Sequence, residues 1–128
     1  MARRTSGDVL KEQCPSRAVL NCLADKWTVL ILIALTDGAK HFGALKREVA
    51  GISQKTMTQI LRTLERDGIV SRKVLPTRPP RVEYALTKLG LTLLDWVDMI
   101  RAWTEKHMGE VIAAQKKFDA ANKHSQSA

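Results

Sequence analysis

Hydrophobic and polar positions repeat with two different periods along this chain, and the change falls at Gly68. From Ser53 to Gly68 the spacing is helical: Met57, Ile60, Leu61 and Leu64 share one side of a helix, while Lys55, Gln59, Arg62 and Arg66 share the other with Thr58 beside them. Ser53 stands where an N-cap is wanted and Gly68 where the helix should stop. Beyond Gly68 the pattern alternates. Val70, Arg72 and Val74 lead into Pro76-Thr77-Arg78-Pro79-Pro80-Arg81, after which Val82, Tyr84 and Leu86 alternate with Glu83 and Ala85. This predicts a two-stranded hairpin with a stiff basic tip, because prolines cannot join a ladder and belong in the turn.

The front half predicts more helices. Pro15 suits a first helical position with Cys14 at the cap, and Ala18, Leu20 and Leu23 give partial apolar spacing. Asp25-Lys26-Trp27 marks a break and restart before the run Val29 to Leu35. Its β-branched residues also suit a buried strand; continuity with Trp27 and the stop at Asp37-Gly38 favour a central helix. Phe42, Leu45 and Val49 then give an apolar face from about His41 to Ala50, with Lys46 and Arg47 outward. Two helices separated by so short a turn at Gly51 are the helix-turn-helix arrangement, with the basic helix second. After the hairpin, Thr87 can cap one last long helix, along which Leu89, Leu93, Trp96, Ile100, Trp103 and His107 recur at steps of four and three. Leu94, Val97, Met108, Val111 and Ile112 widen that stripe beyond what one small core requires, so it can pair with its own copy in a second subunit; the plainer alternative is that all of it is internal core. Gly90 and Gly109 weaken this helix locally, Gly109 is a candidate bend, and Asn122 to Ala128 reads as a tail.

Composition narrows the function. At 128 residues and 45% hydrophobic content the chain is expected to be one globular domain. Lys plus Arg number 21 against 13 Asp plus Glu, a net charge of +8, and the pI is near 9.9, so a polyanionic partner is favoured, nucleic acid before an anionic membrane surface. The longest apolar run is far short of the ~20 residues a membrane span needs, and the N-terminal stretch does not read as a secretory signal. Two cysteines fit a cytoplasmic protein without a disulfide framework. A cationic helix face is often no more than a solvated face. Followed by a hairpin whose Arg78 and Arg81 project toward a phosphate backbone or minor groove, it reads instead as the reading helix of a winged helix-turn-helix.

The residues Cys14-Pro15, Lys26-Trp27, Asp37-Gly38, His41-Phe42, Leu45, Gly51-Ile52-Ser53-Gln54-Lys55, Leu61-Arg62, Leu64-Glu65, Asp67-Gly68, Pro79-Pro80-Arg81-Val82-Glu83-Tyr84 and Leu86-Thr87 carry a more specific likeness. In order and spacing, from Cys14 to about Trp103, the chain resembles the HxlR family of winged-helix transcriptional regulators, a branch related to the MarR type. Arg17 is a departure, since family members often carry Glu there. The resemblance implies a mainly α fold with a small β-hairpin wing, dimerising through terminal helices. It divides the chain into an arm (1–13), a DNA-binding and dimerisation domain (14–112), and a helix end with flexible tail (113–128). It implies a homodimeric, sequence-specific regulator, usually a repressor, of double-stranded DNA carrying an inverted repeat. The expected DNA-facing residues are Lys46, Ser53, Gln54, Lys55, Thr56, Thr58, Gln59 and Arg62, with Arg78 and Arg81 on the wing.

Cys14 is the one residue with reactive promise. A thiol at a helix N-terminus feels the positive end of the dipole, and Arg17 lies one turn on; both favour the thiolate. The resemblance implies that the cysteine before this proline senses oxidants or electrophiles, although a purely structural cap explains Cys14 equally well. Cys22, two turns on, reads as a small buried apolar residue. Zinc spacing, carboxylate clusters and phosphate-cradling glycine loops are absent from the sequence, so neither an enzyme nor a cofactor or metal is expected. The alternatives left open are a regulator gated by a small apolar effector near Trp96, Met99 and Trp103, a non-specific architectural binder of nucleic acid, and a thiol enzyme.

Overall fold

The computed structural model describes residues 10–127. The elements run α1 (Pro15–Leu23), α2 (Lys26–Ala34), β1 (Lys40–His41), α3 (Phe42–Glu48), α4 (Gln54–Arg66), β2 (Val70–Leu75), β3 (Arg81–Leu86), α5 (Lys88–Leu91) and α6 (Leu94–Ser127). Two compact units result, one ending at Leu94 and the other beginning at Asp95. The first holds α1 to α5 and the sheet; the second is α6 alone.

Capping chemistry sets most boundaries in the first unit. Asp25 Oδ1 accepts from the backbone N–H groups of Trp27 (2.9 Å) and Thr28 (3.4 Å), so α2 restarts where the sequence predicts. The apolar run it carries is helical, which settles the helix-or-strand choice; Ile31, Leu32 and Leu35 are buried. Ser53 Oγ accepts from Thr56 N–H at 3.0 Å and opens α4. At its other end Gly68, at φ +78°, lets its own N–H reach Glu65 O and the Ile69 N–H reach Leu64 O, the paired closure of a Schellman turn. Gly51, at φ +92°, makes the turn between α3 and α4, and a Cβ there would meet the Trp27 ring at 3.4 Å. Buried Leu45, Val49, Met57, Leu61 and Leu64 form the shared core of this pair with α2.

Two expectations are corrected. The sheet has three strands, in the antiparallel order β1-β3-β2, where the sequence predicts only the β2–β3 hairpin. Lys40 pairs with Tyr84 and His41 with Glu83, so His41 lies in a strand and not in the following helix. A two-residue strand is too short to show a period of its own; its ladder partner supplies the order. The last helix is also not one element begun by Thr87. Thr87 Oγ1 accepts from Gly90 N–H at 3.0 Å and caps α5, and α6 starts afresh at Leu94. Gly90 is needed for close approach: a Cβ there would lie 2.2 Å from the Ile69 carbonyl oxygen. Leu89 and Leu93 therefore fall outside the stripe that α6 carries. The second unit is continuous helix through Gly109 and on to Ser127, including the stretch from Asn122 that reads as a tail.

Candidate nucleic-acid interface

α4 presents two chemically opposite sides. Met57, Leu61 and Leu64 are buried, whereas Gln54, Lys55, Thr58, Gln59 and Arg62 are exposed, as is the capping Ser53. This is the division expected of a helix fixed by its inner face with amides, a hydroxyl and cations left free outside. Ser53 and Thr56 have a prior engagement: their hydroxyls lie 2.9 Å apart and Ser53 Oγ holds the helix N-terminus. Thr56 is half-buried. Their first contribution is to the shape of the helix.

Arg72 joins this surface from the sheet. Thr58, Arg62, Glu65, Arg72 and Tyr84 line a hollow of about 410 Å³ between α4 and the strands. Sequence reasoning passed over Arg72, yet the signal was present. It shares the face of buried Val70 by two-residue alternation, and an arginine on the apolar face of a strand is out of place unless that face leads to something polar.

The wing runs from Leu75 to Arg81, the end pair of the ladder. Thr77 Oγ1 donates to Pro79 O at 2.9 Å across its tip, and Arg78 is exposed there. Arg81 is placed differently. It extends back to the body, with Nη1 3.4 Å from His41 Nε2, beside a hollow of about 320 Å³ that Arg47 and Gly43 also border. Lys46 is exposed on α3 but borders neither hollow. Consecutive helical residues point about 100° apart, so of the outward pair it is Arg47 that reaches the sheet side. Arg3 and Arg4 lie outside the described residues.

Cys14 is the N-cap of α1, half-exposed and without a side-chain capping bond. The Arg17 guanidinium donates to Leu10 O at 3.3 Å, which gives it an engagement other than the thiol. Burial pushes the Cys22 thiol up, opposed by Thr28 and reinforced by the carboxylates of Asp67 and Asp25. A raised thiol is less often in the nucleophilic thiolate form at neutral pH. Eight residues of helix separate the two cysteines by about 12 Å, well beyond the ~7 Å limit for a disulfide, so they cannot pair within one folded chain. An apolar hollow of about 350 Å³ lies among Val19, Leu23, Ile69, Leu89 and Leu93, and Trp96, Met99 and Trp103 take no part in it.

This arrangement of helix pair, turn, three-stranded sheet and wing agrees with what known proteins show. The family described as HxlR-like helix-turn-helix matches residues 22–112. The chain belongs to that family. It is 42% identical over 109 residues to the uncharacterized HTH-type transcriptional regulator YtfH of Escherichia coli (strain K12), covering 85% of this chain and 86% of that one. The solved structure of YtfH from Salmonella typhimurium superimposes with a TM-score of 0.81 at 42% identity, over 87% of this chain and 99% of that one. The redox regulator HypR in its oxidized form gives 0.67 at 39% identity, over 73% and 96%. The HxlR-like protein described above is therefore a DNA-binding transcriptional regulator with a winged helix-turn-helix fold. Among the described residues, no helix is long and apolar enough to cross a membrane.

Proposed function

We propose that this regulator binds an inverted-repeat operator as a homodimer, represses transcription, and acts on chromosomal DNA in the cytoplasm. The observation that carries the reading is the exposed side of α4, whose polar residues stand opposite a fully buried apolar side. Gln54 and Gln59 have the amide geometry that pairs with adenine edges, Lys55 and Arg62 the donors that pair with guanine, and Thr58 the hydroxyl and methyl for either edge or thymine. Ser53 and Thr56 bring the helix N-terminus to a phosphate, Lys46 adds a backbone contact, and Arg78 enters the minor groove from the wing. Pairing is assigned to α6, where Trp103 is 58% and Phe118 67% exposed on a helix that also leaves Ile100, Met108 and Ile112 exposed. Large apolar side chains in that number on one helix are what a second copy would cover.

Selection of duplexes from a random library by the purified protein tests this. The expected product is an inverted repeat bound at least about a thousandfold more tightly than random duplex at physiological salt. Gln59→Ala should then relax the preference at one position per half-site by about 1–3 kcal/mol, while Arg78→Ala should weaken all duplexes and lower the salt slope by about one per half-site. Equal effects of the two substitutions on selected and random DNA would refute the assignment of α4 as the reading helix.

Thiol sensing by Cys14 is a second part of the proposal. It is supported by a partly exposed Cys14 whose side chain makes no capping bond, by a Cys22 thiol that burial pushes up, and by the likeness to a redox regulator. Since the two cysteines cannot pair within a chain, oxidation joins Cys14 to a small thiol or to a second subunit, and the oxidant takes up two electrons and two protons. Diamide should release the selected duplex from the parent protein and not from Cys14→Ser. Equal release would remove the sensor.

A further inference from the structure

Arg81 does not sit as a free wing arginine, and its surroundings carry a second, separate consequence. Its Nη1 lies 3.4 Å from His41 Nε2, a geometry in which the guanidinium donates and the imidazole accepts. The ring proton must then sit on Nδ1, which is buried and has no hydrogen-bond partner. An imidazole carries no negative charge, so the tether leaves the guanidinium's charge unbalanced. Arg47 approaches from α3, its Nη1 3.5 Å from where a Cβ on Gly43 would stand, an ordinary contact distance, and it borders the same hollow. Among the described residues neither Arg47 nor Arg81 takes part in an ion pair. Two uncompensated guanidiniums thus converge on one hollow of about 320 Å³ where the first helix of the helix-turn-helix pair meets the wing end of β3. Planar guanidinium forks are matched to the oxygens of a phosphate, and the first helix of such a pair crosses the DNA backbone.

We propose that the hollow framed by His41, Gly43, Arg47 and Arg81 seats one phosphodiester of the bound duplex in each half-site. Arg47 and Arg81 are its ligands, and His41 is the positioning residue that holds Arg81 out of the minor groove and over the seat. The proposal rests on the reading of the protein as a duplex-binding regulator. It divides the two wing arginines between tasks: Arg78 enters the groove, and Arg81 fixes the register of the body on the backbone.

The test uses the full chain and the duplex it selects, with single neutral methylphosphonate linkages placed in turn along each strand and binding followed by fluorescence anisotropy. In the parent, several linkages per half-site should weaken binding, and one of them should become silent in the double variant Arg47→Gln/Arg81→Gln while the others keep their effect. Because both arginines share one phosphate, the double variant should lose about 0.9 per half-site from the slope of log K against log salt, about a threefold change in affinity between 50 and 200 mM. A loss of about 1.8 per half-site would mean two separate phosphates and would overturn the shared seat, as would no loss at all. His41→Leu should weaken the effect of the same linkage, and His41→Gln, which retains an acceptor for Arg81, should restore it. Linkage effects identical in parent and double variant would reject the seat while leaving duplex recognition intact. Failure of the parent to select any duplex would instead reject the underlying reading.

Discussion

α4 and α6 are both helices with apolar and polar residues, and they dispose of their apolar residues in opposite ways. In α4 every large apolar side chain is at least half-buried, and Met57, Leu61 and Leu64 are fully buried. In α6 Met99, Trp103 and Phe118 are more than half exposed, with Ile100, Met108 and Ile112 close behind. The first helix has spent its hydrophobic face on the chain that carries it, so what remains free is polar and cationic. The second keeps a hydrophobic face in reserve. A helix of the first kind suits a charged groove, and one of the second kind suits another apolar surface.

The sharpest way to break the contrast is to remove the anchoring of α4. Leu61→Ala should cost about 2–5 kcal/mol in a denaturant melt, because the surrounding core cannot close over the cavity. Next in size is the free face of α6. Trp103→Asp should raise the dimer dissociation constant by a factor corresponding to about 2 kcal/mol or more, seen by sedimentation, with the secondary structure unchanged. An equal loss of folding would mean that Trp103 belongs to the core after all. Ser53→Ala, which removes the oxygen holding the first turn of α4, should cost about 1 kcal/mol and leave dimer affinity untouched.

The smallest effect concerns Lys40, whose ammonium lies between Asp37 and Glu48 and braces β1 against α3. Its hydrogen bond to Lys40 holds the Asp37 carboxyl below its ordinary value of 3.8, and that to Glu48 holds the Lys40 ammonium above its ordinary 10.5. A lowered carboxyl stabilises the fold above its ordinary value and ceases to as pH falls through its lowered one; a raised ammonium stabilises below its ordinary value and ceases to as pH rises through its raised one. Lys40→Met should therefore lower Tm slightly between these limits, with the difference from the parent vanishing in acid and shrinking with salt.

The same contrast explains what was legible in the sequence. α4 could be read end to end because its cap, its apolar period and its stop at Gly68 are all local. The hairpin was legible from alternation and its prolines. β1 was not, since Lys40 and His41 become a strand only through Tyr84 and Glu83, far along the chain. The break between α5 and α6 was hidden for a similar reason. Gly90 reads as a weak point in one helix, whereas its purpose is to admit the Ile69 carbonyl. The helix beyond Val111 was underestimated because its residues, from Ala113 and Ala114 to Lys116 and Lys117, favour helix by propensity without an apolar period to reveal it. Within the candidate interface, the α4 face could be read from periodicity. Arg72, Arg47 and the tie between His41 and Arg81 depend on which strands and helices meet.

The most direct test of the account is a hydroxyl-radical footprint of the protein on the duplex it selects. Two copies paired through α6, each reading with α4, should protect two symmetric half-sites centred about 34–36 Å apart, one turn of DNA. A single asymmetric protected patch, or uniform protection without preferred positions, would contradict it.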